Sequence, residues 1–265
     1  MTNTLTAVAA SLMSVTFSPE IRTAYLSRGK IVEDRPIQAN GLRLEAKLGE
    51  DQRFGRVGIW HFDYSSLTRR VNCAEDQFMH EFDWGVTYHY DLELADEWRL
   101  SNEVMPCWII VPSADPTMEW WVVQSLENPY LIPTWFMRRG TDGADFTYFK
   151  VGVKKPISLH EASWSLIRPL TFTLSIYSEL GNSSLMALRY GKANNGESIP
   201  AGIQSLQAEI RADYKLTEHV SLYASLLQFD LVNKKARRQS HKPNCRDLTI
   251  LTMVWGSECR FKMHV

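Results

Sequence analysis

The sequence predicts an all-β fold, a closed antiparallel up-and-down transmembrane β-barrel of about 12 strands. Three observations carry that expectation. Residues 78–90 alternate without an error: Phe78, His80, Phe82, Trp84, Val86, Tyr88 and Tyr90 stand against Met79, Glu81, Asp83, Gly85, Thr87 and His89. A period of two over that length is a strand with one apolar and one charged face. Segments of the same kind recur along the chain. The links between them alternate in character: short polar turns at 49–54, 93–97 and 215–217, and mostly longer Gly-, Pro- or charge-rich loops at 28–36, 66–77, 179–202 and 232–246. Short turns at one end and long loops at the other are the asymmetry of an outer-membrane barrel.

In chain order, residues 14–27 set Val15, Phe17 and Ile21 against Thr16, Ser18, Glu20 and Arg22. Residues 37–48 set Leu42, Leu44 and Ala46 against Arg43, Glu45 and Lys47, and residues 55–65 set Trp60, Phe62 and Tyr64 against His61 and Asp63. After the strand around Trp84, residues 98–112 carry Trp98, Leu100, Val104 and Trp108 against Arg99, Ser101 and Glu103. Residues 118–127 and 129–138 are aromatic and β-branched. Pro129 and Pro133 cannot donate to a ladder, so a turn or bulge is expected near Asn128. Residues 145–154, 167–178 and 203–214 alternate again, the last with Leu206, Ile210 and Tyr214 against Glu209, Arg211 and Asp213. Residues 218–231 are apolar on both faces and leave the phase open, and residues 247–265 close the chain with Leu251, Met253, Trp255, Phe261, Met263 and Val265 on one face. No helix of amphipathic period is read anywhere.

The 265 residues fit a single domain, 14–265, preceded by residues 1–13 as a signal remnant or a disordered lead-in to the first strand. No apolar run approaches the ~18 to 20 residues of a membrane helix. The formal net charge of −1 gives no reason to expect nucleic acid as a partner. The four cysteines show no zinc spacing, so no metal or other cofactor is expected; Cys73 and Cys245 could pair in an oxidising compartment, or stand as unrelated thiols.

Alternation cannot by itself tell lipid outside from a soluble core inside. Strands of roughly 10 to 15 residues exceed the soluble norm of about 5 or 6 and suit a tilted bilayer span. Aromatics at strand ends, among them Tyr25, Trp60, Tyr64, Tyr88, Tyr90, Trp98, Trp108 and Tyr214, suit interfacial belts. The alternative is a soluble β-sandwich or barrel that binds carbohydrate or a protein partner.

The run AYLSRG at residues 24–29, followed by Pro36-Ile37-Gln38 and GLRLEAKLG, resembles the opening of a group of porin-like bacterial outer-membrane barrels, many of no defined activity. YDLELADEW and YKLTEHVSLYASL look like the periplasmic hairpins of that group. One departure is the final residue: the insertion signal of the class usually ends in an aromatic, and this chain ends in Val265. The resemblance implies an outer-membrane location, with lipid and lipopolysaccharide as partners.

No GxSxG, P-loop, GxGxxG or HExxH is present, and no enzymatic role is expected. His61 with Asp63 and His89 with Asp91 read as hydrogen-bonded pairs on polar faces, Asn182-Ser183-Ser184 as a chance sequon, and the basic run around Lys235 as a solvated loop. The charged strand faces are the candidate functional surface. The lumen-lining candidates are Arg22, Arg43, Glu45, Lys47, Glu81, Asp83, Arg99, Glu103, Glu209, Arg211 and Asp213. They would brace or plug the barrel, or shape a narrow path for small hydrophilic solutes.

Overall fold

The computed structural model describes residues 12–27, 30–33, 35–49, 54–67, 80–111, 115–141, 145–190, 199–233, 235 and 249–264. Twelve strands form one closed barrel: β1 (Leu12–Arg22), β4 (Ile37–Lys47), β5 (Arg56–Ser66), β6 (His80–Ala95), β7 (Trp98–Ile110), β8 (Thr117–Glu127), β9 (Ile132–Gly140), β10 (Thr147–Ser158), β11 (Leu170–Gly181), β12 (Gly202–Lys215), β13 (Val220–Leu231) and β14 (Thr249–His264). Each pairs antiparallel with its neighbour in sequence, and β1 closes the ring on β14 from Leu12↔His264 to Arg22↔Val254. A small hairpin, β2 (Tyr25–Ser27) with β3 (Lys30–Glu33), stands outside the ring between β1 and β4. At the tilt of about 45° usual for such barrels, an 11-residue strand such as β4 reaches ~26 Å along the barrel axis.

At the end where β1 begins and β14 finishes, four of the five connections are short and locally specified, and the fifth, residues 159–169, is longer. The Asn128 side-chain oxygen accepts from the Tyr130 and Leu131 amides at 2.9 and 3.0 Å, the Asx turn that lets β8 reverse before Pro133. Thr217 does the same for His219 and Val220 between β12 and β13. Gly55 takes φ +80 between β4 and β5, and a Cβ there would lie 2.2 Å from the His89 carbonyl oxygen. The opposite end carries the longer loops, and in one of them residues 183–190 fold as a short helix, α1 (Ser183–Tyr190), capped by Asn182, whose side-chain oxygen accepts from the Leu185 amide at 2.9 Å. The sequence had offered no helix; one of two turns is too short to declare a period.

Large apolar side chains stand exposed on the outer wall: Phe17 and Ile21 on β1, Leu42 on β4, Ile59 on β5, Trp84, Val86 and Leu92 on β6, Trp120 on β8, Val151 and Val153 on β10, Ile176 on β11, Ile210 on β12 and Leu226 on β13. Trp84 stacks on Trp108 of the neighbouring strand, ring centroids 4.4 Å apart. The buried side chains lie inside. Toward the loop end these include Ile37, Ala39, Tyr64, Cys107, Ile109, Tyr148, Phe229 and Leu231, joined by Leu185 and Met186 of α1.

One strand is inverted relative to the expectation. The register pairs Arg43 with Trp60, Gly41 with Phe62 and Leu42 with His61, so Trp60, Phe62 and Tyr64 face inward while His61 and Asp63 face out. His61 stacks on the outward Phe82. The physical reason is that this interior is partly packed with aromatics, so on β5 the greasier face is not the outer one. For β13, whose phase the sequence left open, Leu222 and Leu226 are exposed while Tyr223, Phe229 and Leu231 are buried.

Candidate functional site

The inner wall grades along its length. On the turn-end halves of the strands it is charged. Arg43 of β4 donates to Glu45 at 2.8 Å and to Glu103, which lies three strands away on β7 and also accepts from the Thr87 hydroxyl at 2.8 Å. A bond from β4 to β7 cannot run along the sheet; it is a chord through the interior. Arg56 stands 3.9 Å from Glu45, His89 bonds Asp91 at 2.8 Å, and Arg99 pairs with Glu127 and lies 3.8 Å from Asp91.

A second chain of contacts crosses the seam. Arg22 bonds Glu20 at 2.7 Å through its Nε; Glu20 accepts from the Tyr223 hydroxyl; and Arg211 lies 3.9 Å over the Tyr223 ring while it bonds Asp213 at 2.6 Å. Of the candidates read from the sequence, the structure thus gathers Arg43, Glu45 and Glu103 into one cluster and links Arg22, Arg211 and Asp213 in another. Asp83 is buried opposite Phe62, Glu81 pairs with Tyr64 across β5 and β6, and Arg99 sits at the turn end. Lys47 and Glu209 are placed on the inner wall by their register with Arg56 and Ser175.

Midway, aromatics replace charges. Trp60 and Trp121 lie 5.2 Å apart, Trp60 meets Phe62 edge-on at 5.8 Å, and the Arg138 guanidinium sits 3.9 Å over Trp121 and 4.9 Å over Phe136. Nearer the loops, buried Glu179 accepts from Tyr148, from Ser205 at 2.6 Å and from Gln207 at 2.6 Å. Sequence reasoning missed Trp60, Trp121, Arg138 and Glu179. The phase of β9 would have put Arg138 opposite the exposed Arg139, but nothing in the sequence told which face of these middle strands points inward.

A cavity of about 500 Å3 opens between the two zones, lined by Arg43, Glu45, Arg56, Trp60, Phe62, Glu103 and Trp121 among others. On the outer wall, Ser65 bonds His80 Nδ1 at 3.2 Å, and Asp63 lies 4.0 Å from the same nitrogen and accepts from Ser65. Serine and carboxylate therefore compete for one imidazole nitrogen, whereas a hydrolytic triad needs them on opposite nitrogens. No group of three or more metal-ligating side chains occurs among the described residues. Cys107 is buried; Cys73, Cys245, residues 1–11 and most of the basic run around Lys235 lie outside the described residues.

No family model and no curated protein matches the sequence. Solved structures do match in shape. An outer-membrane channel from Pseudomonas putida F1 aligns over 96% of both chains with a TM-score of 0.51 and 8% identity. The KdgM porin aligns over 94% of this chain and 99% of its own, with a TM-score of 0.48 and 9% identity. Outer membrane phospholipase A from Escherichia coli aligns over 95% of this chain and 93% of its own, with a TM-score of 0.43 and 11% identity. At such identities the likeness speaks to architecture alone. The chain has the closed antiparallel fold of a porin-like bacterial outer-membrane β-barrel.

Proposed function

We propose that this protein is an outer-membrane β-barrel of a bacterium and that it passes small hydrophilic solutes through a narrow, internally braced lumen. The observation that carries the reading is the polarity of the wall. A ring of exposed Leu, Ile, Val, Phe and Trp side chains faces outward while Arg43, Glu45, Glu103, Arg211 and Asp213 face inward. In water this arrangement exposes far more contiguous apolar surface than a monomer tolerates. In a bilayer each face meets its own solvent, and every strand of the ring has two hydrogen-bonded neighbours. A soluble sandwich would instead bury one face of each strand between two sheets, and a single closed sheet does not.

In this reading the lumen-lining set includes the charged residues of β1, β4, β6, β7 and β12, and their mixed signs favour passage of polar solutes over strong ion selectivity. The longer loops face outward from the cell and the short turns the periplasm. A structural barrel is the second reading, favoured by the apolar packing of Leu185 and Met186 beneath the loops. The deciding experiment has two stages. Boiled and unboiled samples on SDS gels, after extraction with and without detergent, test the membrane barrel: a heat-dependent mobility shift and a need for detergent are expected, and free solubility with no shift would sink it. Planar-bilayer conductance then separates a channel from a sealed structural barrel.

A further inference from the structure

We propose that the cavity between the charged and aromatic zones is a binding subsite for a neutral sugar unit of a solute in transit. The inference rests on the channel reading and gives it a substrate class. The cavity, at about 500 Å3, falls within the range of small-molecule sites, roughly 300–1,000 Å3. Its walls combine two surfaces that a pyranose needs. Trp60, Phe62 and Trp121 supply an aromatic wall for the C–H faces of a sugar ring. Around them stand side chains that donate and side chains that accept, which suits hydroxyl groups because each does both.

The hydrogen-bond inventory points the same way. Among the described residues, the buried Trp60 indole N–H and the buried Nε–H groups of Arg43 and Arg56 meet no acceptor, although all three residues line the cavity. A buried donor left unmade costs about 1–3 kcal/mol, so an oxygen-rich occupant gains from supplying acceptors there. Charge then separates neutral from anionic oxygen donors. The cavity lining holds the guanidiniums of Arg43 and Arg56 against the carboxylates of Glu45, Glu103 and Glu258. Arg43 is already committed to two of those carboxylates. Among the described residues that line the cavity no surplus positive charge remains to draw a carboxylate or phosphate, and an anion would meet the glutamates. A neutral polyhydroxyl compound meets neither penalty.

The test uses the refolded full-length barrel in two formats. In planar bilayers, maltose and cellobiose are titrated against glucuronate and glucosamine, and current block is recorded. In detergent, the same sugars are titrated against intrinsic tryptophan fluorescence, which needs no conductance. Saturable block and a saturable fluorescence change by a neutral disaccharide are expected, with glucuronate weaker and with about a tenfold loss of affinity in Trp60→Ala. Trp60→Phe, which keeps the ring but loses the N–H, is expected to fall between the two and guards against a folding defect in the alanine variant. Neutral sugars that produce neither block nor fluorescence change in a conducting barrel overturn the subsite and leave the channel standing. A saturable fluorescence response in a barrel that never conducts supports a sugar site in the cavity but overturns the channel and, with it, the site's role in transit. Tighter binding of glucuronate or glucosamine than of either neutral sugar overturns the assignment of substrate class.

Discussion

The chord from Arg43 to Glu103 should be measurable as a coupling energy, because it ties β4 to β7 across open space rather than along the sheet. The perturbations are Arg43→Met, Glu103→Gln and the pair together. Arg43, with 31% of its side chain exposed, donates to Glu45 and Glu103, whose side chains are 11% and 17% exposed. A hydrogen bond to a charged group contributes about 1.5–3 kcal/mol when sheltered. Arg43→Met removes two such bonds and leaves two carboxylates facing each other, so about 3 kcal/mol of destabilisation is expected. Glu103→Gln keeps an acceptor for the Thr87 hydroxyl and should cost about 1 kcal/mol. The double variant should cost about 2.5 kcal/mol, less than the sum of the singles, for a coupling of about 1.5 kcal/mol. The assay is urea unfolding of the barrel folded into short-chain phosphatidylcholine vesicles, read by tryptophan fluorescence and, in parallel, by the unboiled gel band. A coupling below about 0.3 kcal/mol would mean that the two side chains do not meet and that the interior bracing is misassigned.

Four further outcomes follow from the same geometry. Glu179→Leu strands the Tyr148 hydroxyl, the Ser205 hydroxyl and the Gln207 amide, and should cost about 3–5 kcal/mol in the same unfolding assay, whereas Glu179→Gln should cost less than half as much. Gly55→Ala forces a side chain into a left-handed turn against the His89 carbonyl and should destabilise the barrel by at least about 1–2 kcal/mol, seen as a lower midpoint of the heat-modifiability transition. In single-tryptophan variants, brominated lipids should quench Trp84 or Trp120 strongly and Trp60 or Trp121 weakly, and equal quenching of all four would refute the inside–outside assignment. Arg43→Met should also shift reversal potentials across a salt gradient toward cation preference, since Glu45 and Glu103 then stand uncompensated.

Much of this fold was legible because its strands are long and their two faces differ in polarity. On β6 and β12, Trp84, Val86 and Tyr88 against Asp83 and Thr87, and Ile210 against Glu209 and Arg211, leave one phase open and it is the one adopted. The same rule failed on β5, where Trp60 and Phe62 pack inside against Met105, Cys107 and Trp121, and Tyr64 packs against Ile37 and Ala39. Hydrophobicity marks burial from water, and an aromatic inside a narrow barrel is buried as fully as one in lipid. Only the neighbouring registers, Arg43 to Trp60 and Gly41 to Phe62, break that tie, and registers between strands are not written in one strand's pattern. The charged cluster at Arg43, Glu45 and Glu103 was readable residue by residue, but its connectivity was not, because β4 and β7 meet through space. Helix α1 escaped notice for a different reason: its stability comes from burying Leu185 and Met186 and from the Asn182 cap, which are tertiary and local geometric facts rather than a period.

The hydrogen bond from Tyr223 to Glu20 joins residues 203 positions apart and reaches from β13 to β1 past the closing strand β14. It forms only after the last strand has arrived beside the first, so it belongs to the end of assembly. Contacts of such long range slow the approach to the native state, because the whole intervening chain must be gathered before any reward is collected. The same timing favours endurance once assembly is complete. An interaction absent from the transition state raises the barrier to escape without hastening entry. The seam is where a barrel made from one chain would otherwise unzip, and this latch across it makes lifetime, more than equilibrium stability, the property that Tyr223→Phe should shorten.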